Sequence, residues 1–317
     1  MDWGSERIKL VEVISQGGDF YLHNFLVKKT EPFDFSTSYF KQMRETLNLF
    51  FKEQSFSTYE INLLLSGSDL IIKVLNLPLV KLNELKELIL WEAQDITADS
   101  VKNLITDYKI LEKNQEQIKV LLVITYKTKL LRQIKLLEEV GFKVNNVKAA
   151  PLMLNNLLDA ELKQKKLVII DIGAQVTELL FFKKGKFAFR RVLNFGGQEL
   201  TTTIQQENNL TKREAEQLKY NRDLKDNSFS NFLIKLIKKI ELSIHYWEQQ
   251  GEKIEFIYLT GGGAKLKGLK QYLKKELGVE VKMLTGFSQF EFTQNNCSFH
   301  FLREQIPYLT ISLAGVL

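Results

Sequence analysis

The run Leu167-Val-Ile-Ile170 leads into Asp171-Ile-Gly173-Ala-Gln-Val-Thr177 and on into Glu178-Leu-Leu-Phe-Phe182. It reads as a buried strand, a turn that sets an aspartate beside a glycine, and a returning strand. The same unit opens the chain, where Asp2-Trp-Gly4-Ser5 precedes Ile8-Lys-Leu-Val-Glu-Val13. One unit found twice indicates internal duplication, and hence two similar lobes. A third glycine turn, Thr260-Gly261-Gly262-Gly263-Ala264, follows an apolar run over 254–259. Glycine lets backbone approach a ligand and offer N–H groups to phosphate oxygens, while a neighbouring aspartate can hold a cation or its waters. A single such turn is ordinarily a tight corner; three together suggest a split nucleotide site.

Composition narrows the classes. A chain of 317 residues, 44% hydrophobic and 26% charged, is long enough for more than one core and too apolar for disorder. No apolar run approaches the roughly 20 residues of a membrane-spanning helix, and no basic region followed by an apolar stretch opens the chain. A soluble protein is expected. The net charge of +6 comes from lysines mixed with carboxylates, as at Lys163, Lys165 and Lys166 or Lys235, Lys238 and Lys239. That is the pattern of a solvated surface without a nucleic-acid module, leaving only a mild attraction to an anionic membrane. The lone Cys297 fits a reducing compartment and a structural role. His23, His245 and His300 lie far apart, so a zinc site and a Ser/His/Asp nucleophile both lack support.

Turn residues and periodicity set the remaining elements. Residues 7–14 and 19–27 flank Gly17-Gly18 and predict a hairpin; 59–65 and 70–77 flank Ser66-Gly67-Ser68-Asp69 and predict another. Between the pairs, Phe40, Met43, Leu47 and Phe50 or Phe51 recur at helical spacing. Beyond Pro78 come a helix marked by Leu82, Leu85 and Leu88 or Ile89, a polar stretch over 97–107, and a strand over 119–125. A helix over about 128–140 is expected to bury Leu131, Ile134, Leu137 or Leu136, and Val140, with Gly141 after its end. This section, 78–145, reads as a small inserted α/β subdomain. Later, Asn194-Phe-Gly196-Gly197-Gln198 leads into a helix, and Thr211-Lys-Arg-Glu214 is a capping box for the next. Leu233, Ile237, Ile240, Ile244 and Trp247 form the core stripe of a long helix that Gly251 ends. Leu266, Leu269, Leu273 and Leu277 mark a further helix, stopped by Gly278 ahead of a strand over 279–284.

Taken in order, the aspartate-glycine hairpins, the connector Phe195-Gly-Gly197-Gln-Glu-Leu-Thr201, the helix segment Ala215-Glu-Gln-Leu-Lys219 and the turn Ile257-Tyr-Leu-Thr-Gly-Gly-Gly-Ala-Lys-Leu-Lys-Gly268 resemble the actin-like ATPase superfamily. Within it the chain is similar, over nearly its full length, to the PilM family of type IV pilus assembly proteins, with Leu77-Pro78 and Glu92-Ala93 adding to the match. The resemblance implies an α/β fold of two ribonuclease-H-like lobes with the insertion placed as in cell-division FtsA. Residues 1–77 and 146–166 with 305–317 would make the first lobe and 78–145 the insert. Residues 167–304 would make the second lobe, with 206–253 a helical part beside the nucleotide. ATP with Mg2+ would then lie between lobes. The resemblance gives Asp2 and Asp171 the catalytic and metal-holding role, through water; Gly4, Ser5, Gly173 and Ala174 the phosphates; Lys9 a phosphate as a point charge. It further places Glu216 and Lys219 at the ribose and base edge, Gly261, Gly262 and Gly263 along the flat nucleoside, and Thr177, Gly197 and Gln198 nearby. A PilM-like protein would act as a scaffold at the cytoplasmic face of the inner membrane. It would hold the tail of a PilN-like protein and link it to pilus motor ATPases, with no nucleic acid involved.

Two departures qualify this expectation. The family has an apolar strand ahead of the first aspartate, whereas this chain begins Met1-Asp2, so either the start is misplaced or the strand is shortened, and a shortened strand would anchor Asp2 poorly. Glu6-Arg7 replaces the usual small residues and brings bulk and a carboxylate towards the phosphates. No residue is identifiable that orients an attacking water, so binding is expected ahead of turnover. The alternatives are an FtsA-like or secretion- or competence-system assembly protein and a small-molecule kinase of the superfamily. The apolar ending 307–317 disfavours a membrane tether, and the lack of a membrane-spanning helix disfavours a GspL-like protein.

Overall fold

The computed structural model describes residues 1–30, 37–53, 56–224, 227–286, 289–292 and 299–317. Cys297, expected to be structural, lies outside them. Contacts divide the chain into two compact units, Met1–Pro32 with Ala150–Leu317, and Phe33–Ala149.

The first unit starts with β1 (Asp2–Trp3), β2 (Arg7–Gln16) and β3 (Asp19–Lys29), an antiparallel meander whose second turn uses Gly17 and Gly18 at positive φ. After α4 (Ala150–Met153), the meander recurs as β9 (Lys166–Ile172), β10 (Thr177–Lys183) and β11 (Lys186–Leu193). The duplication expected from the two aspartate-glycine turns is therefore present as strand pairing. Next come α5 (Gly197–Asn208), α6 (Lys212–Asn221), α7 (Asn227–Glu248), β12 (Phe256–Thr260), α8 (Leu269–Leu277) and β13 (Glu280–Met283). They complete a sheet of order β11-β10-β9-β12-β13, in which β12 runs parallel to both β9 and β13. β14 (Glu291–Phe292) runs parallel to β3, and α9 (Phe299–Ala314) ends the chain.

β9 explains the core. Its residues 167–170 are all fully buried, because Val168 and Ile170 face α5–α8 while Leu167 and Ile169 face α9 and β3. A strand covered on both sides needs an uninterrupted apolar run. The stripe on α7 is buried as expected, and Gly251 and Gly278 take positive φ after their helices. The apolar ending is a helix, α9, with Pro307 inside it.

The second unit holds α1 (Thr37–Glu53), β4 (Glu60–Leu65), β5 (Leu70–Pro78), α2 (Leu82–Thr97), β6 (Leu104–Lys113), β7 (Gln117–Tyr126), α3 (Lys127–Glu139) and β8 (Lys143–Ala149). Its order corrects the second predicted hairpin. β4 pairs in parallel with β8, whereas β5 pairs with β7 in the separate sheet β5-β7-β6, so the turn after β4 passes the chain from one sheet to the other. The polar stretch read over 97–107 in part forms β6, whose outward residues are exposed and so lack an apolar signature. On α3 the buried stripe is Leu130, Gln133, Leu136 and Leu137, and Leu131 is 48% exposed, one position off the expected face. Among the described residues no helix is long and apolar enough to cross a membrane.

Candidate functional site

Every sequence-predicted site residue falls in the first unit. In the opening hairpin, Asp2 and Lys9 are directly opposed on β1 and β2, which sets their side chains on one face of the sheet. Lys9 Nζ donates to Asp2 Oδ2 at 2.7 Å. Asp2 is wholly buried, and its other oxygen, Oδ1, has no hydrogen-bond partner among the described residues. Lys9 thus supplies the counter-charge that burial of Asp2 demands. The Gly4 N–H donates to the Arg7 carbonyl at 3.0 Å and is spent closing the turn; Ser5 keeps an amide without a backbone partner among the described residues. A Cβ on Gly4 would lie 2.7 Å from Lys9 Nζ, so glycine makes the recess in which the ammonium sits.

In the second hairpin Asp171 opposes Glu178, whose carboxylate accepts from Arg190 at 2.8 and 2.9 Å. Burial pushes the Asp171 carboxyl up to about 7, helped by Glu178 and Asp2, while Lys9 and Arg190 pull it down. Asp2, Lys9 and Asp171 therefore share one electrostatic neighbourhood. Here too the turn uses its glycine: Gly173 donates to Val176 at 2.9 Å, leaving the Ala174 amide. The carbonyls of Gly173 and Ala174 accept from Gly197 and Gln198 at 2.9 and 2.8 Å, and Thr177 Oγ1 donates to the Phe195 carbonyl at 2.8 Å. Thr177 and Gly197 thus bind the connector to the turn, and neither holds its polar group free for a ligand.

The glycine triplet also has protein for neighbours. A Cβ on Gly261, whose φ is +83°, would meet Asp171 Oδ1 at 2.1 Å; one on Gly262 would meet the Tyr308 ring at 2.7 Å; one on Gly263 would meet Ile172 at 2.2 Å. The missing side chains make room for Asp171, Tyr308 and Ile172. Tyr220 donates to the Gly262 carbonyl at 3.3 Å, and Arg7 and Lys265 stand 4.5 and 4.7 Å from the Tyr308 ring centre. Arg7 packs on that tyrosine, and Glu6 pairs with Lys212 at 3.2 Å. On α6, which opens with the expected capping box, Glu216 and Lys219 form a buried pair tied to Thr201. Lys219 also donates to the Gly197 carbonyl at 3.2 Å. Burial disfavours the charge on Glu216, but Lys219 and Thr201 hold its carboxyl below the usual range.

Sequence reasoning missed Glu178 with Arg190, the Tyr220 and Tyr308 pair, and Lys265. Strand register creates the first, and the folding of α9 against the glycine turn creates the second; neither leaves a local motif. Among the described residues no three His, Cys, Asp or Glu side chains converge. A cation here would have to bring most of its ligands as water or phosphate oxygen.

Several solved structures share features of this fold. The PilM–PilN type IV pilus biogenesis complex has a chain that superposes with a TM-score of 0.89 at 23% identity, covering 100% of this chain and 97% of that one. Looser likenesses are the cytoplasmic domain of EpsL of the Vibrio cholerae type II secretion system (TM-score 0.47, 10% identity, 100% and 92% covered) and Spiroplasma citri MreB5 bound to AMPPNP (0.46, 15%, 81% and 74%). The duplicated hairpin sheets and the strand-borne glycine turn are those of the actin-like ATPase fold. The family model described as type IV pilus assembly protein PilM matches residues 1–314, and the chain belongs to that family.

Proposed function

We propose that this chain is an ATP-binding scaffold of type IV pilus assembly, working at the cytoplasmic face of the inner membrane and holding the cytoplasmic tail of a PilN-like membrane protein. The observation that supports it most is that the same place in two copies of one hairpin holds a buried Asp2 paired with Lys9 and an Asp171 pushed up by burial, with Lys9 and Asp2 acting on its charge. Two carboxylates, one with a buried oxygen that has no partner among the described residues, suit the water shell of Mg2+. The ion, when bound, would neutralise phosphate charge. Ser5 and Ala174 would offer amides to phosphate oxygens, Lys9 would supply a point charge, and the Glu216–Lys219 pair would border the ribose side with Gly261, Gly262 and Gly263 behind it. ATP serves here as a conformational ligand, and a link to the motor ATPases would run through the same scaffold. Residues 78–145 would form the inserted subdomain of the first lobe and 206–253 the helical part of the second.

The test is a fluorescence titration of the labelled cytoplasmic tail of the PilN-like protein from the same genome, with and without MgATP. Saturable binding whose affinity changes several-fold with nucleotide is expected. Absence of binding in both conditions would overturn the scaffold role.

A further inference from the structure

The place where a cation would be held already contains one. Lys9 Nζ lies 2.7 Å from Asp2 Oδ2, with side-chain exposures of 15% for the lysine and 1% for the aspartate. The recess around the ammonium depends on Gly4, since any Cβ there would stand 2.7 Å from the same nitrogen. Among the described residues Asp2 Oδ1 has no hydrogen-bond partner, so within them the carboxylate is satisfied on one side only. A free divalent ion approaching Asp2 meets a like charge at ion-pair distance, in surroundings that screen poorly.

We propose that Lys9 is a tethered counter-ion that makes metal binding conditional on nucleotide: it neutralises Asp2 while no phosphate is present, and moves to a phosphate oxygen when ATP arrives. This role rests on the nucleotide reading of Asp2 and Asp171. The exchange leaves both Asp2 oxygens to the waters of the incoming cation, so metal and polyphosphate enter together. Lysine suits the task because its charge sits on a flexible stem with three rotatable donors and can change acceptor without moving the backbone. The β1–β2 register keeps the stem aimed at the site in both states.

Electron paramagnetic resonance with Mn2+ tests this on the full chain. The parent protein should bind no Mn2+ alone at concentrations where it binds Mn2+ with ATP. Lys9→Met should acquire an Mn2+ site without nucleotide, at least tenfold tighter than the parent, and adding Asp2→Asn should abolish it. Gly4→Ala, which pushes Nζ from its recess while keeping the charge, is the second variant should Lys9→Met fail to fold, and it should gain the same site. The counter-ion role is overturned if the parent binds Mn2+ equally well with and without ATP, or if the folded variants gain nothing. Gain of Mn2+ by Lys9→Met in a protein that binds no ATP supports the exclusion of metal by Lys9 and overturns the nucleotide reading alone.

Discussion

Lys9 and Glu178 occupy equivalent places in the two hairpins, each directly across the strand pair from an aspartate, and they carry opposite charges. In the first copy the opposing residue neutralises Asp2. In the second it adds to the negative charge around Asp171 and is itself neutralised from behind by Arg190. The duplicated backbone has therefore been given two electrostatic environments, one in which a lysine pairs with the aspartate and one in which burial and neighbouring carboxylates push the aspartate's pKa up.

Breaking the Glu178–Arg190 pair should be costly. Both side chains are almost fully buried, so Glu178→Gln removes the partner charge of a buried guanidinium and should destabilise the fold by about 3–5 kcal/mol. Adding Arg190→Met should recover part of that loss, as read by denaturant unfolding.

Asp171 should give stability a distinctive pH dependence. Its folded pKa lies above the ordinary 3.8, so the folded state binds the proton more tightly than the unfolded chain does. The stability this group contributes is fully present below 3.8 and is lost as pH rises through about 7. Asp171→Asn should therefore lose less stability than the parent between pH 5 and 8, a difference of at most a few kcal/mol. Cation-dependent nucleotide binding needs the ionised form, so MgATP affinity should rise from pH 6 to 8 in the parent. Thermal melts and calorimetry at matched ionic strength check the two outcomes.

The glycine triplet should be intolerant in graded fashion. Gly261→Ala meets Asp171 and Ile172 and forces a side chain into positive φ, so it should be the more damaging change. Gly262→Ala collides only with the Tyr308 ring, and Tyr308→Ala should restore the melting temperature that Gly262→Ala lowers. Additive losses in the double variant would show that the ring is not the obstacle.

Lys219 should matter for the fold as well as for a ligand. Lys219→Met strands Glu216 in a buried setting and should cost about 3–5 kcal/mol. Adding Glu216→Gln should offset much of it, as measured by urea unfolding.

Much of this was legible in sequence because it is local. Aspartate beside glycine between apolar runs fixes a hairpin, and Thr211 with Glu214 fixes a helix start. The long stripe on α7 fixes a buried face. What escaped notice depends on pairing at a distance. β4 and β5 look like a hairpin from their turn, yet β8 and β7 claim them separately. The outward half of β6 is polar, and the partner of Glu178 is chosen by register. The contact of Tyr308 with the glycine triplet has no local signature for the same reason, since it forms only when α9 folds back.

The most direct measurement is calorimetric titration of MgATP into the parent protein and into Asp171→Ala, with folding of both verified by melting. Saturable one-to-one binding by the parent, weakened at least tenfold in the variant, is the expected result. Equal heats from both proteins, or none from either, would contradict the assignment of Asp2, Lys9 and Asp171 to a nucleotide site.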